Sequence, residues 1–313
     1  MAGGAVPISA SARVYSPVGP RVLALDGEVC GALTGVTGGS IYAEFATEKI
    51  GIDHLARKHL AGVRYEDIAL EVGVGMSARF YDWIKESLQP GKLSRKDGTI
   101  YVCDYDHHPR GSLAFTHALI SELSFPALDA ASKDAAKLTV KLAPELIRSS
   151  RTPPKADGTK LTVTKQQQQK KWLPSNFKLE IDGLDCTHVN KVGPLVARRA
   201  VVERAVGELR DYETEPSHWD FGNVTVTLPQ SHAEGWHQWH EDFVIKGENG
   251  EDREKSGSLV YLTPDLKTEL FRIKLSHLGI FRLHEDAAET GSEQIHRIEA
   301  EMYCEQMELQ SHA

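Results

Sequence analysis

Fourteen histidines make metal chemistry the first possibility to weigh, and their densest run is Trp236-His237-Gln238-Trp239-His240-Glu241. Two imidazoles at i and i+3 share a helix face, but the zinc-hydrolase pattern sets its histidines at i and i+4 with a glutamate between them as base. That order is absent, and the tryptophans mark the run as a core-facing helix flanked by histidines. His107-His108 stands among Asp104, Asp106, Pro109 and Gly111, which is the composition of a loop. Asp104-Tyr105-Asp106 lacks the glycine and closing glutamate of a calcium loop. No nucleophile elbow or phosphate loop occurs, and Gly73-Val74-Gly75 follows a strand without the third glycine of a dinucleotide turn. The sequence therefore assigns no catalytic, cofactor-binding or metal-ligating residue and predicts that the chain is not an enzyme. A metal-dependent enzyme built on the histidine-rich helix is the alternative, testable by metal analysis.

Such residues need elements to hold them, and length bounds how many. A chain of 313 residues suits two modules of about 150, the scale at which single cores stop growing. Hydrophobic residues make up 41% and charged residues 26%, enough apolar side chain to bury a core in each half. No run approaches the roughly 18 apolar residues that span a bilayer, and the N-terminus lacks the basic and apolar regions of a secretory signal. These features predict a soluble chain with no membrane insertion. Cys30, Cys103, Cys186 and Cys304 lie far apart with no Cys-x-x-Cys, which reads as reduced, mostly buried thiols of a cytoplasmic protein.

The charge of −8 is unevenly spread: residues 1–148 carry −1, residues 149–172 carry +5 and residues 173–313 carry −12. The acidic half argues against tight nucleic-acid binding, which comes mainly from Lys and Arg neutralising phosphates. An acidic conduit that repels a passing polyanion remains compatible with it. Residues 149–172 combine Pro153-Pro154, Asp157-Gly158 and four consecutive glutamines with that positive charge, a linker composition in which Leu161 to Thr164 alternates like a short strand.

Across this linker the sequence repeats. Asp26-Gly27 recurs 156 residues on as Asp182-Gly183. The same offset carries Leu23 onto Leu179, Leu25 onto Ile181, Cys30 onto Cys186 and Val36 onto Val192. Further along it carries Tyr65 onto Phe221, Asp67 onto Asn223, Ile68 onto Val224, Leu70 onto Val226 and Trp83 onto Trp239. A period of this length is the mark of a repeated module. Each copy is predicted to open with a strand turning at Asp-Gly into a hairpin, because that dipeptide supplies positive φ. Residues 66–72 and 223–228 follow as strands. Ser77 to Leu88 follows as a helix with Ser77 at its N-cap and Phe80, Trp83, Ile84 and Leu88 on one face. His232 to Phe243 takes the helix position in the second copy. Later strands are predicted near 99–103, 137–142, 258–262, 270–275 and 295–309.

From Lys58 to Lys85 the chain resembles the contractile tail tube family of T4-like phages and phage-tail-like injection systems. Gly62, Tyr65, Ile68, Leu70, Phe80 and Trp83 stand on the family's strand-then-helix pattern. The Asp26-Gly27 strand, Gly35 to Gly38, Ala118 to Asp129 and Ala136 to Leu142 extend the likeness over nearly the whole first copy. The second copy is similar more weakly, through Phe177 to Gly183, Val224 to Val226, Trp239 and Ile295 to Met302, and departs at Pro229 and in its helix. The resemblance implies a mainly β chain of two tandem tail-tube-like β-sandwich or barrel modules, residues 1–148 and 173–313, each with one flanking helix. It implies a structural, ring-forming component of an inner tube, or of its baseplate end, assembled in the cytoplasm and built into a tail particle. Its partners would be other copies of itself, three chains giving a pseudo-sixfold ring of six modules, together with tail tube, baseplate or spike proteins and the sheath. An adaptor that joins tube and spike without forming the tube is the alternative. By position in the family, Tyr42 to Ala56 belongs to the long loop that reaches a neighbouring subunit.

Overall fold

A computed structural model describes residues 19–49, 55–151, 160–163, 172–205, 212–285 and 296–311. The first half contains β1 (Arg21–Leu25), β2 (Glu28–Leu33), β3 (Gly35–Gly38), β4 (Ile41–Glu48), β5 (Arg57–Tyr65), β6 (Ile68–Val72) and α1 (Ala78–Leu88). It continues with β7 (Lys96–Cys103), β8 (Pro109–Phe125), β9 (Leu128–Asp129), β10 (Leu138–Ala143) and β11 (Leu146–Ser150). The second half contains β12 (Phe177–Ile181), β13 (Lys191–Val192), β14 (Leu195–Arg198), β15 (Val201–Ala205), β16 (Tyr212–Pro216), β17 (Asp220–Phe221) and β18 (Val224–Pro229). Then come α2 (Glu234–His240), β19 (Lys255–Leu262), β20 (Glu269–Glu285) and β21 (Arg297–Ser311).

The two halves repeat one topology. Strands β1-β7-β8-β10-β6-β3 lie side by side in the first, and β12-β19-β20-β21-β18-β13 in the same order in the second. The registers coincide as well. Val36 pairs Leu70 and Leu70 pairs Val140, while Val192 pairs Val226 and Val226 pairs Ala300. Leu23 pairs Ile100 as Leu179 pairs Leu259. The 156-residue offset holds through the helices, and α2 is followed by a longer connection. Beyond it, β7 corresponds to β19 at an offset of 159, and β8 to β20 at 160. Because side chains alternate between sheet faces, shared register means that both copies turn the same positions inward.

Two devices recur. Gly98 and Gly257 occupy one corresponding site, where a Cβ would approach the Ala24 carbonyl oxygen at 2.9 Å and the Glu180 carbonyl oxygen at 2.5 Å. Only glycine lets the strands come this close. His117 (φ 50°) and His277 (φ 55°) take left-handed backbone at matching bulges. Ahead of His117, β8 pairs β7 and β11; beyond it, β8 pairs β10. One extra residue there bends the 17-residue strand, so it serves two faces of the module.

Helix α1 buries Phe80, Trp83, Ile84 and Leu88 on one face, as the apolar spacing requires. Trp83 donates from its indole to the Ser94 carbonyl at 3.2 Å. In α2, Trp236 and Trp239 point inward while His237 is exposed. Ser77 precedes α1 as expected but makes no side-chain capping bond.

Three expectations change. In the first copy Asp26 and Gly27 both take positive φ and turn β1 back into β2, as a two-residue hairpin turn requires. In the second copy only Gly183 does so, Leu184 donates to the Ile181 carbonyl at 3.1 Å, and no return strand follows. The second helix is shorter than expected and runs into a π turn at Glu241–Ile245. The family's long loop is a β-hairpin, β4 against β5, of which residues 50–54 lie outside the described set. Within the stretch of linker composition, Leu161 packs on Val22 and Cys103, and Trp172 is buried against Tyr261 and Phe271.

Candidate intermodule and inter-subunit interface

The halves are joined by main-chain pairing as well as by covalent linkage. From the second half, β14 adds to the far part of β8, pairing Leu195 with Phe125, Ala197 with Leu123 and Arg198 with Glu122. In return β9 of the first half adds to β13, pairing Leu128 with Val192. Each module thus covers an edge that the other would leave open. Strand β14 continues into the β15–β16 hairpin, the counterpart of β4–β5, and this hairpin lies over the first module.

Side chains fix the joint. Arg199 donates its Nε to the Ile120 carbonyl at 2.7 Å and lays its guanidinium over Trp219 at 4.6 Å. Burial lowers the Arg199 pKa to about 10. Trp219 in turn donates to the Ser87 carbonyl at the end of α1, at 2.7 Å. Arg64 of β5 lies over Tyr212 of β16 at 4.0 Å and pairs with Glu203 of β15.

The centre of the joint is Glu145. Its Oε1 accepts from the Thr214 N–H at 2.9 Å and the Thr214 hydroxyl at 3.1 Å. It also pairs with Arg95, which itself donates to the Thr214 carbonyl. The other carboxylate oxygen lies 2.9 Å from His117 Nδ1. Burial pushes the Glu145 carboxyl up, but the Thr214 and His117 hydrogen bonds and the Arg95 charge outweigh it, so it titrates below the ordinary range. A carboxylate depressed by folding stabilises above its unfolded pKa of about 4.3. That contribution is lost as pH falls through the lower folded value. The melting midpoint of the native chain is therefore expected to exceed that of Glu145→Gln by roughly 2–4 °C at neutral pH. The gap should close on acidification below about pH 4; a gap unchanged from pH 7 to 3 contradicts this assignment.

The metal candidates fare as follows. Among the described residues, no group of three potential ligands includes His237 or His240 of the histidine-rich helix. Asp104, Asp106 and His108 do come together, but Asp104 is engaged within its own loop. It accepts from the Asp106 and His108 N–H groups at 3.0 and 2.9 Å and pairs with Arg110 at 2.8 Å. A second group, Glu254, His277 and Glu305, which no sequence motif marks, lies at the position matching Arg95, His117 and Glu145, and His284, Glu299 and Glu301 form a third. The four cysteines are free thiols, and Cys30, Cys103 and Cys304 are buried. Burial lifts Cys103 and Cys304 to about 11. Among the described residues no helix is long and apolar enough to cross a membrane.

At the outer ends of the pair the same edges recur, uncovered by any of the described residues. Strand β3 ends its sheet, and beside it Ile41, Tyr42, Phe45 and Leu60 of the β4–β5 hairpin are 47–75% exposed. At the other end, β19 pairs β20 only as far as Leu278, so one edge of Arg282–Glu285 is unpaired among the described residues. Phe281, Val244 and Ile245 are exposed nearby.

The chain is thus two mainly β modules, each of which completes a sheet of the other with a strand of its own. Residues 21–148 match the family model described as T4-like virus tail tube protein gp19. Solved structures similar to the chain include the sheath-tube complex of the extracellular contractile injection system PVC. There the identity is 22% and the TM-score 0.39, over 45% of this chain and 94% of that one. The tube-terminating cap of the anti-feeding prophage is 21% identical, with a TM-score of 0.37 over 48% and 95%. Hcp1 from Flavobacterium johnsoniae is 18% identical, with a TM-score of 0.28 over 42% and 95%. Comparison with curated proteins gives no match.

Proposed function

We propose that this chain is a non-enzymatic, ring-forming component of the inner tube, or of its baseplate end, in a contractile phage tail or phage-tail-like injection system. Residues 1–148 and 173–313 are its two modules and residues 149–172 the link between them. Three chains supply six modules to a pseudo-sixfold ring, assembled in the cytoplasm and then built into the particle beside tube, baseplate or spike proteins and the sheath. The observation that carries this reading is the pairing of β14 with β8, together with the complementary open edges at the two ends of the chain. A contact that recurs head to tail through a fixed rotation closes into a ring. Transferring the internal register to the next chain pairs Gly39 with Glu285, Ser40 with His284, Ile41 with Leu283 and Tyr42 with Arg282.

A baseplate or hub adaptor is favoured by one feature: the second module lacks the return strand β2 of the first. A ring whose successive modules differ has threefold symmetry, and one of its faces could meet a threefold spike while the other meets a sixfold tube. Negative-stain electron microscopy of the purified chain tests both readings. Threefold rings of six lobes are expected. Stacked tubes select the main-tube role over the adaptor, and single particles at high concentration overturn ring formation.

A further inference from the structure

We propose that the joint between chains is keyed by Lys58 of one chain entering the carboxylate pair Glu254 and Glu305 of the next. The inference rests on the ring reading above and specifies the chemistry of its contact. Within one chain, Thr214 sits on Glu145, and Arg95 supplies the neighbouring positive charge. The partner at the next joint follows from the repeat. Hairpin β15–β16 pairs Glu203 with Thr214, and β4–β5 pairs Thr47 with Lys58 in the corresponding register. Lys58 is thus the counterpart of Thr214. On the receiving side β7 corresponds to β19 and β8 to β20, so Glu254 replaces Arg95, His277 matches His117, and Glu305 replaces Glu145.

The two exchanges compensate each other. The joint inside the chain sets a neutral threonine on an Arg–Glu pair. The second module has lost the guanidinium and gained a carboxylate, and Glu254, His277 and Glu305 bring ligand atoms within 4.8 Å of one another. Glu254 is held by the Tyr303 hydroxyl and His277 Nδ1, each at 2.7 Å, while Glu305 is exposed. The arriving residue carries the missing positive charge. Lys58 is exposed, with its ammonium 5.1 Å from the Phe45 ring centre. Its counterpart Thr214 is 4% exposed in the completed joint, so the position is one that assembly covers. An ammonium between two carboxylates is a favourable charge-assisted contact.

The same chemistry enforces order. A first module offering Lys58 to another first module would meet Arg95, and like charges brought together at a contact disfavour it strongly. First modules therefore accept second modules, and the ring alternates.

Sedimentation velocity across a dilution series tests the proposal on the full chain. Lys58→Glu is expected to raise the dissociation constant between chains by at least about tenfold, Glu305→Lys likewise, and the double variant to restore assembly. Both residues are on the surface, and circular dichroism verifies that each variant folds. Lys267→Glu, an exposed lysine in the turn between β19 and β20, controls for net charge. Rings of the native chain with Lys58→Glu assembling equally well would overturn the lysine key and leave the ring reading intact. No association of the native chain would refute the ring reading itself. Rings that dissolve in EDTA while Lys58→Glu assembles normally would assign the carboxylates to a divalent cation and overturn the proposal.

Discussion

Serine at Ile41, Phe45 and Leu60 together is expected to leave the chain folded and to reduce it to single particles. These side chains are 47%, 62% and 75% exposed, so the isolated chain loses little by their removal. Their counterparts in the second copy are Ala197, Val201 and Pro216, and Ala197 is 1% exposed where it packs into the internal joint. Covering a large apolar side chain is worth about 1.5–3 kcal/mol. Three of them lost from every chain-to-chain joint should weaken association by at least about three orders of magnitude. Mass photometry of native and substituted chains at equal concentration reads the outcome directly. Rings of undiminished abundance would show that the hairpin does not make the contact.

Trp83→Ala is expected to destabilise the first module by about 3–5 kcal/mol, with a fall in melting midpoint of roughly 10 °C. Trp83 is 1% exposed, anchors α1 on its sheet and satisfies its indole N–H at Ser94. Alanine leaves a cavity and an unpaired Ser94 carbonyl. Trp239, its counterpart, is 7% exposed and its indole nitrogen has no hydrogen-bond partner among the described residues. Truncating it should cost less, toward the lower end of that range. Differential scanning calorimetry of the two variants compares them, and equal losses would indicate that the indole bond contributes nothing at Trp83.

What could be read from the sequence divides along a physical line. The repeat and the helix were legible because Leu70, Trp83, Val226 and Trp239 fill the cores of their own modules, and core positions keep their spacing. The sequence pattern does not mark the β4–β5 hairpin as strands. Ile41, Tyr42, Phe45 and Leu60 stay exposed, so the hairpin lacks the inward alternation that marks a strand within its own fold. The missing return strand after Gly183 turned on a single backbone choice at Asp182, which Asp-Gly alone does not decide. The Glu145 and Glu305 sites escaped for a simpler reason. The longer connection after α2 shifts the offset from 156 to 160, so a fixed period sets Glu145 against Glu301 and hides its true counterpart. His117 and His277 match only at the larger offset, and although histidine is enriched at positive φ, most histidines are not left-handed, so residue type alone does not mark the bulge.

The reciprocal pairing of β8 with β14 also has a temporal side. Phe125 leaves the ribosome 70 residues before Leu195, an interval of about 4–14 s at translation rates of about 5–20 residues per second. Through that interval the nascent chain carries Glu122–Phe125 as an open strand edge bearing Leu123 and Phe125, the kind of edge that adheres to other nascent chains. A subunit of one module would keep that edge open until another molecule diffused to it, at a rate set by concentration. Here the covering strand arrives on the same polypeptide, so half of the sticky edges are closed by synthesis itself, however dilute the protein.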